Sequence, residues 1–294
     1  MRIEPLSVLG AAAFVLLSQG SAVAGPWPPP VPKVAEGTVP KPPITAINPK
    51  DGAVMIFVPA GDFLMGSTKA QAQKVVQALP AVLQSDALRH FAAEEPQHKV
   101  YLDGYWIYRD DVTVADYRKF CDATGRQIPQ PPDWAWKYDN PAVSVSWDDA
   151  KAYCDWAGVA LPTEAQWEKA ARGTDGRIYP WGNSWDKTKA NSDESALNAT
   201  TPVGNYSGGA SPYGCMDMAG NVFQWCADRY DKDYYGHSPV RNPTGPVARA
   251  WRVLRGGSWD GIPDYCRSAL RNYSLPTNRS LTFGFRCAGP AGMP

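Results

Sequence analysis

The chain has 294 residues, with 29 basic and 29 acidic side chains and a formal net charge of zero. That balance, with no basic cluster anywhere, excludes a nucleic-acid binder, because phosphate recognition needs a basic surplus on one face. Hydrophobic residues at 44% exclude wholesale disorder, and 28 Pro with 26 Gly exclude a plain helical bundle in favour of a loop-rich domain.

The predicted elements begin with an export signal over residues 1–24. Arg2 supplies the positive end, Val8 to Leu17 the apolar run, and Ala22-Val23-Ala24 a small-x-small cleavage site. The run is too short to span a bilayer, and no other apolar stretch reaches spanning length. Export places the chain in the periplasm or outside the cell, with no transmembrane segment after processing. The six cysteines (Cys121, Cys154, Cys215, Cys226, Cys266 and Cys287) are therefore read first as disulfide partners. Residues 25–50 carry nine prolines between Pro26 and Pro49 and read as an extended linker.

The folded part is expected over 51–290. Met55 to Gly66 reads as two short strands about Pro59–Asp62. Thr68 to Leu88 has helical spacing at Val75, Leu79 and Leu83, with a break near Pro80. Val100 to Tyr108 is strand-like. Thr113 caps a helix whose apolar face is Val114, Tyr117, Phe120 and Cys121. Ser146 with Asp149, and Thr163 with Gln166, open two more helices at capping-box spacing. The first buries Trp147, Ala150, Tyr153, Cys154 and Ala157. Beyond Gly173 no long helical period remains, only short apolar runs broken by turn residues. The three histidines, His90, His98 and His237, are too far apart in sequence to suggest a multi-histidine metal centre. The class is α+β: a single loop-rich domain, low in regular structure.

Several words of the sequence together resemble one family. They are Phe57-Val58-Pro59-Ala60-Gly61, Asn140-Pro141-Ala142-Val143, Leu161-Pro162-Thr163-Glu164-Ala165, Pro180-Trp181-Gly182-Asn183, Met218-Ala219-Gly220-Asn221-Val222, Arg255-Gly256-Gly257-Ser258-Trp259 and Gly284-Phe285-Arg286-Cys287. In this order they resemble the formylglycine-generating enzymes, the sulfatase-modifying factor domains, over roughly residues 52 to 288. The resemblance implies a fold related to C-type lectins, with bound calcium. Members include copper oxidases acting on a sulfatase cysteine, iron enzymes of sulfur transfer, siderophore-maturation proteins and accessory proteins.

The resemblance also locates a site. In the copper oxidases two cysteines follow the Gly-Gly-Ser serine, at the third and eighth positions. Here those positions are Gly261 and Cys266, after Ser258. One thiolate is missing, and Asp260 is a hard donor unsuited to Cu(I), so no copper site is expected. Cys266, with Ser258 beside it, is the candidate reactive residue; its structural alternative is a disulfide. The resemblance pairs Cys154 with Cys287 across 132 intervening residues. It places a second family bridge at Ala171 and Arg271, where both cysteines are gone. Cys121, Cys215, Cys226 and Cys266 then allow three pairings, of which Cys226 with Cys266 is favoured because both would flank the family's substrate cleft. Structural calcium is implied at Asp217, Gly220, Val222 and Gln224, and again at Asn191 and Ser192 with Asp193 or Glu194. The expected function is an exported binding, accessory or regulatory module for an unidentified protein or peptide partner. The alternative is a periplasmic oxidoreductase of altered specificity, of siderophore-maturation or formylglycine-generating type, using Cys266.

Overall fold

The computed structural model describes residues 29, 32–134 and 136–290; the export segment read in the sequence lies outside them. The first strand, β1 (Thr45–Ile47), pairs antiparallel with β2 (Val54–Val58), so the fold starts inside the stretch read as linker. The reason is that Val34, Ile44 and Ala46 are apolar residues set between the prolines. They pack on the core, and Gly37 N–H bonds the Ala60 carbonyl at 2.8 Å. Proline spacing keeps this segment extended; it does not keep it solvated.

β3 (Gly61–Met65) pairs with β4 (His98–Leu102) as a separate two-stranded ribbon. The helical insert between them is two helices, α1 (Lys69–Ala78) and α2 (Ala81–Glu94). Thr68 caps the first through a full capping box, and Pro80 opens the second. After β5 (Tyr105–Tyr108) come α3 (Val114–Thr124), α4 (Trp147–Ala157) and α5 (Glu164–Arg172). Their caps are Thr113, Ser146 and Thr163, and the buried faces of α3 and α4 are those the spacing predicts. The rest is loop, short 3-10 turns and β6 (Phe223–Arg229), β7 (Arg252–Arg255), β8 (Asn272–Ser274), β9 (Phe283–Gly284) and β10 (Ala288–Pro290). One sheet runs β1-β2-β5-β10, all antiparallel, and the other β8-β7-β6-β9, where β6 and β9 run parallel.

The side-chain period of two divides the strands between two cores. Met55, Phe57, Trp106 and Tyr108 face α3 and α4 with Tyr117, Phe120 and Tyr153. Ile56, Val58, Tyr105 and Ile107 face the other way, onto Ala165, Trp167 and Ala170 of α5. Both faces are buried, which is why β2 and β5 read as unbroken apolar runs. The chain is thus one loop-rich α+β domain. Among the described residues no helix is long and apolar enough to cross a membrane.

Candidate functional site

The loop after β7 carries the residues singled out from the sequence. Gly256 and Gly257 both have positive φ, +97° and +76°. At Gly257 a side chain is also barred by space, since a Cβ would stand 2.9 Å from Cys266 Sγ and 2.8 Å from the Tyr265 carbonyl. The glycine pair therefore lays backbone directly over the sulfur. Cys266 closes a short turn at Pro263–Cys266 and is fully buried among Tyr179, Ala190 and Ala219. Burial pushes its thiol far up, and the carboxylates of Asp193 and Asp264 add to the effect. Both effects disfavour thiolate, the reactive form.

Ser258 is buried too, and its hydroxyl donates to Asp260 Oδ1 at 2.5 Å. It is bonded to Asp260 and not to Cys266. Gly261 N–H donates to the Ser258 carbonyl at 2.9 Å, and the Gly261 carbonyl accepts from Asp193 N–H at 3.1 Å. A Cβ added at Gly261 would approach the Ser258 carbonyl oxygen to 3.2 Å. The family's second sulfur position is thus occupied by a tight backbone turn. Ser258, Gly261 and Cys266 are brought together as expected, but as a dry, satisfied cluster. The donor set does not fit Cu(I).

A roof over this loop comes from α2. Tyr265 donates its hydroxyl to Asp86 Oδ2 at 2.8 Å and meets the His90 ring edge-on at 5.2 Å. The guanidinium of Arg267 lies between Glu94 Oε2 at 2.7 Å and Asp264 Oδ1 at 2.6 Å, and 3.8 Å from the Phe91 ring. Asp86, His90 and Glu94 recur every fourth residue and so share one helix face, a signal the sequence does contain.

Beneath lies a buried ion lattice. Arg255 reaches Glu164 at 2.8 Å and Glu168 at 2.6 Å; Arg172 reaches Glu168 at 2.9 Å. Arg271 grips Glu164 with two contacts, 2.7 and 3.0 Å. The Arg255 and Arg172 charges hold the Glu168 carboxyl below its usual value in spite of burial. Arg271 is the position where the family's second bridge would fall; a guanidinium fixed by Glu164 and by the Ala93 carbonyl at 2.9 Å stands there instead.

The Cys154 and Cys287 sulfurs are 3.1 Å apart and buried. Their surroundings are set by Tyr108 and Tyr153, whose hydroxyls both donate to Asp51 Oδ2 at 2.7 Å. Cys226 and Cys266 do not meet. Cys226 packs in the α5-side core with its sulfur 4.0 Å from the Gln224 carbonyl, while Cys266 belongs to the separate small cluster around Tyr179. The strand β6 places Cys226 in the core beneath α5, outside the Cys266 cluster, which its sequence position did not disclose.

At the turn before β6, Asp217 is buried and accepts Gly204 N–H at 2.7 Å. Desolvation pushes its carboxyl up to about 6. Two nearby carboxylates, Asp110 and Asp111, each hold one buried oxygen without a partner. Gln224 does not share in this turn through its oxygen. That atom accepts from Trp167 Nε1 at 2.6 Å and Arg286 Nε at 2.7 Å, filling both lone pairs. Of the other oxygens implied for a cation, the Gly220 carbonyl already accepts Val222 N–H at 2.9 Å, which leaves its second lone pair, Asp217 and the Val222 carbonyl. At the second turn, Asn191 Oδ1 accepts from Ser195 at 2.8 Å, Ser192 Oγ is buried without a partner, and Glu194 is turned to Trp185 at 2.6 Å. Among the described residues no three His, Cys, Asp or Glu side chains converge as a metal cluster.

The model of the sulfatase-modifying factor enzyme 1-like domain matches residues 43–291. A formylglycine-generating enzyme of Streptomyces coelicolor is 42% identical over 172 residues, 53% of this chain and 54% of that protein. A serine/threonine-protein kinase, pkn1, of Chlamydia caviae is 33% identical over 259 residues, 80% of this chain but 37% of the kinase. The chain thus spans about half or less of these relatives. The solved structure of PvdO from Pseudomonas aeruginosa superposes with a TM-score of 0.71 at 27% identity, covering 85% of this chain and 99% of that one. The order of the sequence words and the domain match agree, and the chain belongs to the family of sulfatase-modifying factor enzyme 1-like domains, that of the formylglycine-generating enzymes.

Proposed function

We propose that this is an exported formylglycine-generating-enzyme-like domain that lacks copper oxidase activity and works as a binding, accessory or regulatory module. One observation carries the reading: the position for a second thiolate is Gly261, locked in a turn, and the remaining sulfur of Cys266 is sealed under Gly257 with its proton held. A copper site needs two accessible soft donors, and a substrate thiol needs to reach the metal. Neither condition is met. Export rests on Arg2, the run Val8–Leu17 and the Ala22-Val23-Ala24 site.

The test pairs chemistry with accessibility. Incubated with Cu(I) and a sulfatase-type cysteine peptide, the protein is expected to leave the peptide mass unchanged, in the wild type and in Gly261→Cys alike. Iodoacetamide should label Cys266 only after denaturation. Peptide conversion by the wild type, or rapid native labelling of Cys266, would overturn the reading. It would favour the oxidoreductase alternative, which draws its support from the 42% identity to the Streptomyces enzyme.

Calcium is part of the same proposal, as a structural ion. The support is that Asp110 Oδ1 and Asp111 Oδ2 are buried oxygens without a partner near the buried Asp217, hard donors that a cation could use. Asp217 with the Gly220 and Val222 carbonyls would hold one ion, Asn191 and Ser192 a second. Excess chelator should lower the melting temperature and added calcium restore it. An unchanged melting curve, with no calcium by elemental analysis, sinks this part alone.

A further inference from the structure

The insert does more than roof the Cys266 loop. Its second helix stands off the β6–β8 sheet and leaves a cavity of about 510 Å³, of a size that takes a small ligand. One wall is α2, with Arg89 and His90. The other is an aromatic ladder. Tyr230 stacks on Tyr273 at 4.2 Å between ring centres, and Tyr273 on Trp251 at 4.6 Å, all within 26° of parallel. The buried end of the ladder rests on the Arg271 guanidinium, 4.9 Å from the Tyr230 ring. The outer end is wet: Trp251 is 44% and Tyr273 41% exposed. Stacked face to face, the three rings cover one another, so the ladder offers the cavity its edges and one open flat face, that of Trp251, held rigid from behind.

Charge decides what the cavity suits. Each charged side chain at the rim has an opposite partner. Arg249 pairs with Asp231 at 2.5 Å, Lys232 with Asp233 at 2.9 Å, and Arg89 with Asp86. An anion would meet Asp231 and Asp233; a cation would meet Arg89, Lys232 and Arg249. Neither gains a net field. A neutral ligand gains from all of them, because each ion pair still presents N–H donors and carboxylate oxygens side by side. Burial lowers the His90 pKa, and its Nδ1 is itself buried without a hydrogen-bond partner, so the ring lends the wall an uncharged surface more than a charge. Alternating donors and acceptors around an apolar flat face match a molecule with hydroxyls on its edge and C–H groups on its face.

We propose that the cleft between α2 and the Tyr230–Tyr273–Trp251 ladder binds a neutral saccharide of one or two rings. The site is separate from the Cys266 loop, and the proposal stands whether or not that loop is inert.

The whole chain would be titrated with cellobiose, maltose and N,N′-diacetylchitobiose as neutral probes, and with sialyllactose and benzoate as charged ones. Readouts are tryptophan fluorescence and saturation-transfer NMR. At least one neutral disaccharide is expected to bind, with Trp251→Ala and Tyr273→Ala each weakening it about tenfold. Arg89→Ala, on an outer side chain that is 78% exposed and so harmless to folding, should weaken it severalfold. Melting curves of all three variants are recorded alongside. Failure of every neutral probe overturns the proposal. So does binding of the charged probes alone, or undiminished binding by folded Trp251→Ala or Arg89→Ala.

Discussion

The two ends of β7 make opposite use of the same sheet. Past its C-terminal end, from Gly256 to Cys266, protein groups answer protein groups: Ser258 meets Asp260, Gly261 meets Asp193, and a glycine backbone covers the one sulfur. Before its N-terminal end, Trp251 and its stacked neighbours face a cavity, and the charges there remain at the surface. Cysteine at an expected position is therefore not equivalent to a reactive cysteine. Reactivity needs solvent or a cation to stabilise thiolate, and the loop has exchanged both for packing. The cavity beside the aromatic ladder lies on the side the insert created.

Between the two ends runs the ion lattice, and breaking it should collapse the distinction altogether. Arg255→Ala removes one partner from Glu164 and one from Glu168 while leaving both carboxylates buried. Stranding buried charge costs about 3–5 kcal/mol, the largest effect expected here. Urea denaturation would measure it. Arg255→Lys should recover only part, because an ammonium cannot reach two carboxylates in the guanidinium's fork. A loss below about 1 kcal/mol would mean that Arg271 and Arg172 suffice without it.

A second break concerns the opposite core. If Cys154 and Cys287, 3.1 Å apart, are oxidised, replacing either costs about 2–5 kcal/mol. Peptide mapping without reduction should recover the two joined. Cys287 recovered as a free thiol from native protein would refute the bridge, and the pair would then count as packing.

What the sequence disclosed follows from the range of the forces involved. Caps at Thr113, Ser146 and Thr163 are local, set within three residues, and were legible. So were the stripes of α3 and α4. The Gly256–Ser258 turn and the missing sulfur at Gly261 were legible through the family words. The roof was not: Asp86 with Tyr265, and Glu94 with Arg267, are contacts across more than 170 positions between side chains that read singly as surface charge. Gln224 was misread as a cation ligand for a related reason. Its oxygen is claimed by Trp167 and Arg286, which lie far off in sequence. The linker boundary erred because proline content reports stiffness, while docking is decided by the apolar residues between the prolines.

The smallest effect sharpens the contrast between sealed and open sides through pH. Asp228, buried and accepting Glu164 N–H at 2.8 Å, has its carboxyl pushed up to about 8 by desolvation and then by the charge of Glu164. Asp217 is raised to about 6. Unfolded, both titrate near 3.8. Below that value both states are protonated and the stabilising contribution of the held protons is complete. As pH rises through 6 and towards 8, the unfolded chain has already released protons that the folded chain retains, and that contribution is lost. The melting temperature, taken in excess chelator so that no cation offsets Asp217, should fall by a few degrees between pH 6 and 8. Asp228→Asn keeps an oxygen to accept the Glu164 N–H but carries no proton to lose, so its curve should be flatter over the same interval. The rim carboxylate Asp231 is held below its usual value by the Asp233 N–H and by Arg249, and Asp231→Asn should leave the slope between pH 6 and 8 unchanged. Equal slopes in wild type and Asp228→Asn would place the retained proton elsewhere and remove Asp228 from the account of the sealed side.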